Sequence, residues 1–545
     1  MKEKGIGYVL AYCNVVSLLC AIALPTFLID KSDREISILH LGSTIPNDTN
    51  YQDNEWAYDS ISAEEAWDIS TGNNDVSVAV IDTGVKTTHN DLINNINLNN
   101  IVYLFDNSNS TISSNDWTGH GSNVAGIIGS KGNNNLGVCG VCWNVNIIPL
   151  SYINVYGIQT SSNVAAAINF AEEHEIPIIN FSSYYTGSID SDVENAIRNY
   201  SGLFVCCAGN EGQNIDTNQL ASSYPTQLSN VDNLISVGSL SQNGTIKDSS
   251  NYGATSVDLF APGDNVLTTA NVQDAYESFS GTSCATPFVA GAAALLLSIN
   301  PSLTPLQIKS AILNNVDQSS IFEGKCSSGG KLNIHNAALS VIPTLSTSSE
   351  RNVDGFGYNW EKFTINTPST YSFSLSGYQG LTLKIADFPT NDSFVLTTAT
   401  IESGQSSVTI NYTFIENRTY YIQVQNAMSF GVNYVLSKAF LGYHYHSFHG
   451  TPLIPVDNIY HGNLCSCGFI GNLSTHLVRP NNPTRCFLCG GIALLPNNLD
   501  LLEKTNYYPI GIDSYKINNG IIVVGEIDYL LGTNNSSYLE SLYIE

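Results

Sequence analysis

Five short apolar runs constrain this chain most: "VSVAVI" (76–81), "VNIIPLSYI" (145–153), "IPIINFS" (176–182), "GLFVCCAG" (202–209) and "LISVGSL" (234–240). They are predominantly apolar rather than alternating, as expected of strands buried on both faces of a parallel sheet. Helical patterns lie between them. In "SSNVAAAINFAEEHE" (161–175) the apolar residues 164, 167, 168 and 171 share one helical face, with Ser161 and Ser162 as candidate caps. Strand and helix alternating over roughly 270 residues imply an α/β fold with a mainly parallel sheet. Sites in such folds gather at the carboxyl ends of the strands.

The pattern changes after "AALSVIPTLSTSSERN" (337–352). Short alternating stretches such as "TYSFSLS", "LTLKIA" and "TYYIQVQ" follow, separated by turns rich in Gly, Asn and Asp. They predict a β-sandwich over 350–440. A β-rich module over 441–545 follows, with Cys465, Cys467, Cys486 and Cys489 near His461 and His476. Paired cysteines of this spacing fit a zinc site, and in an exported chain they fit two disulfides. The chain of 545 residues thus divides into 50–343, 350–440 and 441–545.

The N-terminus has its own signature. Residues 8–29, "YVLAYCNVVSLLCAIALPTFLI", are almost uninterruptedly apolar, with lysines before and "DKSDRE" after. Segment 1–29 reads as a cleaved signal peptide, or as an anchor holding the chain to a membrane. Both place the protein outside the cell or on its surface. A formal net charge of −27 argues against nucleic acid and anionic lipid as partners.

Three stretches carry acid, base and nucleophile in the order Asp, His, Ser. "VAVIDTGV" ends a strand at Asp82, "TGHGSNVAGIIG" sets His120 at the start of a helical run, and "GTSCATP" sets Ser283 at another helix start. A fourth, "CCAGNEG", presents Asn210 just past a buried strand. Singly, these read as a turn aspartate, two helix caps and a loop asparagine. Together and in order they carry more. Pro287 fits if it lies in the first turn of the Ser283 helix, where N–H groups have no intrahelical partner.

With these four motifs, residues from about 50 to 343 resemble the subtilisin-type serine proteases, whose triad runs in this order. The resemblance implies a three-layer subtilisin-like domain and peptide-bond hydrolysis. Asp82, His120 and Ser283 would be the catalytic triad, with Asn210 in the oxyanion hole. Ser283 Oγ is then expected within hydrogen-bond reach of a His120 ring nitrogen. Polypeptides would lie between Gly157-Ile158-Gln159 and Ser182-Ser183-Tyr184. Tyr184 stands where the family has a glycine that leaves room in the primary pocket, which tells against a preference for large substrate side chains, and Glu211 near the mouth of that pocket would favour a basic residue. A structural Ca²⁺ site is implied at Gln52, Asp91, Asn134, Leu136 and Val138. Cys284 replaces a methionine and is expected to pack inward, although a thiol beside the nucleophile suggests sensitivity to thiol reagents.

The family usually carries a folded prodomain, for which 30–51 leaves no room. The expectation is an upstream start, unaided folding, or help from another chain. Two other function classes are open at this point. One is a catalytically silent scaffold serving as a surface or binding protein. The other is a metal-dependent hydrolase built on the late His/Cys cluster, whose sulfur-rich set looks structural.

Overall fold

The computed structural model describes residues 44–443, except 97–100, 105–110, 114–115, 154–157, 219–222 and 391–393, together with the backbone of seven short strands beyond 443. The apolar segment 8–29 lies outside the described residues, as do the side chains of the four late cysteines.

The strand Gly72–Asp82 sits inside a ten-stranded sheet. Asn144–Ser151 pairs with it on one side and Ile178–Phe181 on the other, both parallel. Leu203–Cys207, Leu234–Leu240 and Leu259–Pro262 continue outward, also parallel. Short strands, partly antiparallel, complete both edges. The five runs anticipated from sequence all pair in this sheet. Leu259–Pro262 was not anticipated: its four residues run into a Pro-Gly turn and are too short for a periodic signal.

Alternate residues of one strand feed opposite layers. Val78 and Val80 pack into a core with the helices His120–Gly129 and Thr282–Ile299. Ala79 and Ile81 pack into a second core with Ser161–Glu173 and Ser191–Asn199. The side-chain period of a strand thus produces three layers from a continuous apolar run. Of the 18 residues of Thr282–Ile299 only Ser298 is not buried. Full burial of each of its leucines contributes about 1.5–3 kcal/mol. Among the described residues it is the one helix long and apolar enough to cross a membrane, and it serves as the core of the fold.

Two local expectations need correction. The cap of Ser161–Glu173 is Thr160, whose side chain accepts from Asn163 N at 3.2 Å, not Ser161 or Ser162. Three hydroxyls in a row left the sequence ambiguous. Pro287 lies inside its helix, in the second turn rather than the first, so the bond its N–H would have made to the Ser283 carbonyl is absent.

Two four-stranded antiparallel sheets follow, within Ser348–Tyr443. Phe373 and Phe414 from one sheet and Phe363 and Tyr420 from the other share one core, so the pair is a sandwich. The sandwich is docked. Trp360 is buried in the same cluster as the helices His120–Gly129 and Thr282–Ile299. Tyr358 donates to Trp67 O at 2.9 Å, and Arg351 Nη2 to Ile299 O at 3.0 Å. The arginine thereby satisfies a carbonyl at the C-terminus of the Ser283 helix, where cations are favoured.

Candidate active site

The chemistry-bearing residues converge where strands end and helices begin. Asp82 is the last residue of its strand and is buried; His120 is the first residue of its helix. Helix and strand approach closely because Gly121 has no side chain: a Cβ there would meet Gly84 O at 2.0 Å. His120 Nδ1 donates to Asp82 Oδ1 at 2.8 Å. Since a carboxylate only accepts, Nδ1 carries the proton and Nε2 keeps its lone pair. Asp82 Oδ1 also accepts from Thr83 N, while the buried Oδ2 has no partner among the described residues. A cation formed on the ring would answer that uncompensated charge.

Burial pulls the His120 pKa down, but the charge and hydrogen bond of Asp82, with Asp116 behind it, outweigh this and hold it above the ordinary histidine value. Sequence reasoning missed Asp116. Its Oδ1 accepts from Thr83 Oγ1, Thr118 N and Gly119 N, and its Oδ2 from Ser122 N and Ser122 Oγ. A carboxylate on first-turn N–H groups caps the helix and fixes where His120 starts. The signal was present: an aspartate four residues before the helix start.

Ser283 is the second residue of its helix, after Gly281 at φ 113, a conformation that disfavours other residues. Its N–H is one of the first-turn donors without an intrahelical acceptor. Asn210 lies beside it. Asn210 Oδ1 accepts from Thr282 N at 2.9 Å and Thr282 Oγ1 at 3.1 Å, which fixes the amide and leaves Nδ2 as the outward donor. Ser283, His120, Thr83, Thr118, Tyr152, Ser182, Ser183 and Tyr184 line one cavity of about 250 Å³.

The serine itself departs from expectation. Its hydroxyl donates to Ser182 O at 2.9 Å, and no hydrogen bond joins it to His120 among the described residues. A hydroxyl rotates to a good acceptor within reach, and the carbonyl of the buried Ser182 supplies one. Cys284 is fully buried, and burial raises its thiol pKa well above the usual value. The neighbouring Cys207 is pushed up to about 12 by burial, against hydrogen bonds including those of Thr282 and Ser283. The six described cysteines are all free and buried. The expected thiol sensitivity therefore has no exposed thiol behind it near the nucleophile.

On the substrate side, Gly157 lies outside the described residues. Ile158 is exposed, and Gln159 forms an antiparallel bridge with Ile153. Ser182–Tyr184 follows directly on the strand Ile178–Phe181.

The residues named for calcium are only partly brought together. Asp91 is buried, and its carboxylate accepts from Asn134 Nδ2 (2.8 Å), Val138 N (3.0 Å) and Tyr276 OH (2.8 Å). Asn134 Oδ1 accepts from Leu136 N. Gln52 and Leu136 are exposed. The unsatisfied group is Asp48, which the sequence reading passed over: buried, with Oδ2 accepting from Asn133 N and Oδ1 unpartnered among the described residues. Burial pushes its carboxyl up to about 6, opposed by the Asn133 N–H and reinforced by the charge of Asp91. Two buried carboxylates, one of them with an orphaned oxygen, supply the hard oxygen donors that a cation such as Ca²⁺ takes.

The model of the subtilase family (peptidase S8) matches residues 73–351. The chain belongs to the subtilase family. It is a serine protease, a hydrolase of peptide bonds. Similar to this subtilase are the thermophilic serine proteinase of Bacillus sp. strain AK1, 33% identical over 295 residues, 54% of this chain and 69% of that one, and thermitase of Thermoactinomyces vulgaris, 32% identical over 278 residues, 50% of this chain and 92% of that one. Among solved structures, a protease of Pseudoalteromonas arctica PAMC 21717 is 28% identical and matches 55% of this chain and all of that one, at a TM-score of 0.47.

Proposed function

We propose that this subtilase is an endopeptidase acting through Asp82, His120 and Ser283, with Asn210 Nδ2 and Ser283 N as the oxyanion donors. The observation that carries the reading is the Asp82–His120 bond of 2.8 Å, which leaves Nε2 to face the cavity shared with Ser283. Substrate laid along Ser182–Tyr184 competes for the Ser182 carbonyl and releases the Ser283 hydroxyl toward His120. His120 takes the proton as Ser283 attacks the peptide carbonyl. It returns the proton to the leaving amine, and water then hydrolyses the acyl-enzyme by the same route. Asp82 holds the tautomer and stabilises the imidazolium. The test is Asn210→Ala: in subtilisin itself, loss of one such donor costs about 10²–10³ in kcat. An unchanged kcat would remove Asn210 from this role.

Calcium belongs to the same proposal. Asp48 and Asp91 would hold Ca²⁺ with carbonyls of the 132–138 loop, and the ion would stabilise that loop. The orphaned Asp48 oxygen supports this reading. We propose export from the cell on the strength of segment 8–29. Zinc or disulfides at Cys465, Cys467, Cys486 and Cys489 remain a proposal from spacing alone.

A further inference from the structure

Tyr184, which lines the cavity holding Ser283, is bonded to Glu211 at its side. Tyr184 lies just past the strand Ile178–Phe181 and Glu211 just past the strand Leu203–Cys207, and these strands are parallel neighbours with Phe181 opposite Cys206. The Tyr184 hydroxyl spans the gap and donates to Glu211 Oε1 at 2.7 Å. Glu211 is tied down from behind. Its Oε2 accepts from Asn251 Nδ2 at 2.6 Å, and its N–H donates to Asn251 Oδ1 at 3.2 Å. Asn251 is itself fully buried and donates to Ala208 O. One end of the bar is therefore fixed to the sheet, and the other is a ring lining the cavity that holds Ser283 and His120.

We propose that the Tyr184–Glu211 bar closes the primary side-chain pocket, so that this subtilase cleaves after small residues: glycine, alanine and serine. The inference rests on the triad reading above. A substrate strand running along Ser182–Tyr184, with its carbonyl at Ser283, directs the adjacent side chain into the gap between the two segments. The phenol ring occupies that gap. A phenylalanine or leucine could enter only by breaking the bond and swinging the ring out. Lysine and arginine meet the same ring: the Glu211 charge lies behind the Tyr184 hydroxyl, and a long side chain reaches it only by displacing the phenol. Burial, and then Glu211, push the Tyr184 hydroxyl up to about 12, so it stays protonated and donating across the working range.

The experiment compares kcat/KM of the full chain on peptide anilides that differ only in the residue on the acyl side, with alanine, phenylalanine or lysine there. Alanine should exceed both others at least tenfold. In Tyr184→Gly the phenylalanine-to-alanine ratio should rise at least tenfold, and lysine should gain with it, because Glu211 Oε1 has lost its donor. Wild-type preference for phenylalanine or lysine overturns the proposal, as do unchanged ratios in the variant. If Tyr184→Gly does not fold, Glu211→Ala frees the ring from the other end and should raise the same ratio. Labelling by a fluorophosphonate in parallel separates the two layers. A labelled enzyme with the wrong preference overturns the bar alone; an unlabelled wild type overturns the triad reading with it.

Discussion

His120 Nδ1 lies 2.8 Å from Asp82 Oδ1, and this one bond decides which ring nitrogen can act as a base. It also sets the pH at which the base becomes available. In the mechanism proposed above His120 works unprotonated, and Asp82, against the effect of burial, holds its pKa above the ordinary value of about 6.5. The rise of kcat/KM with pH should therefore be centred above that value. In Asp82→Asn the charge is gone, the limb should move to lower pH, and kcat should fall about 10⁴-fold, as found for the equivalent change in a serine protease of another fold. A limb that does not move would detach Asp82 from His120.

Asp116 positions His120 without touching the reacting atoms. Replacing it by alanine strips five donors of their acceptor. Hydrogen bonds to a charged group contribute about 1.5–3 kcal/mol each in isolation, but shared losses are not additive, so a net cost of about 2–4 kcal/mol is expected. As a positioning residue it should lower kcat tenfold or more with little change in KM. Equal loss of stability with unchanged kcat would make it a structural cap only.

The pH dependence of stability should expose Asp48. Its folded-state pKa of about 6 exceeds the unfolded value, so the folded protein binds the extra proton between about pH 4 and 6. Without a cation, stability should fall as pH rises through that window, by at most about 3 kcal/mol, and stay low above it. Calcium should restore it. Thermal unfolding with and without a chelator, in wild type and Asp48→Asn, reads this directly. Calcium independence of the wild type at pH 8 would remove the ion from the account.

Trp360 joins the sandwich to the catalytic unit. Trp360→Ala should cost about 3–5 kcal/mol, seen as a lowered thermal midpoint, since a buried ring is lost from a shared core. Activity per folded molecule should persist. An unchanged midpoint would mean that the contact contributes little.

What the sequence revealed and what it hid follow one physical division. Asp82, His120, Ser283 and Asn210 were legible because each sits in a short local pattern where strand meets loop or helix. The helix 161–173 was legible from apolar periodicity, and the strand 234–240 from a short, mostly apolar run. Contacts between distant segments were not: Asn251 lies 40 residues beyond Glu211, and Tyr276 reaches Asp91 from 185 residues away. Nor could the resting position of the Ser283 hydroxyl be read, because it depends on where the carbonyl of Ser182 falls in space. Asp48 looked like one more polar turn residue until its burial was known.

The most direct test of the central claim is labelling of the purified full chain with a fluorophosphonate probe, beside Ser283→Ala, with the modified peptide located by mass spectrometry. Covalent label on Ser283 in the wild type and none in the variant is the expected result. Equal labelling of both, or no label on a wild type that cleaves peptides, would place the nucleophile elsewhere and contradict the account.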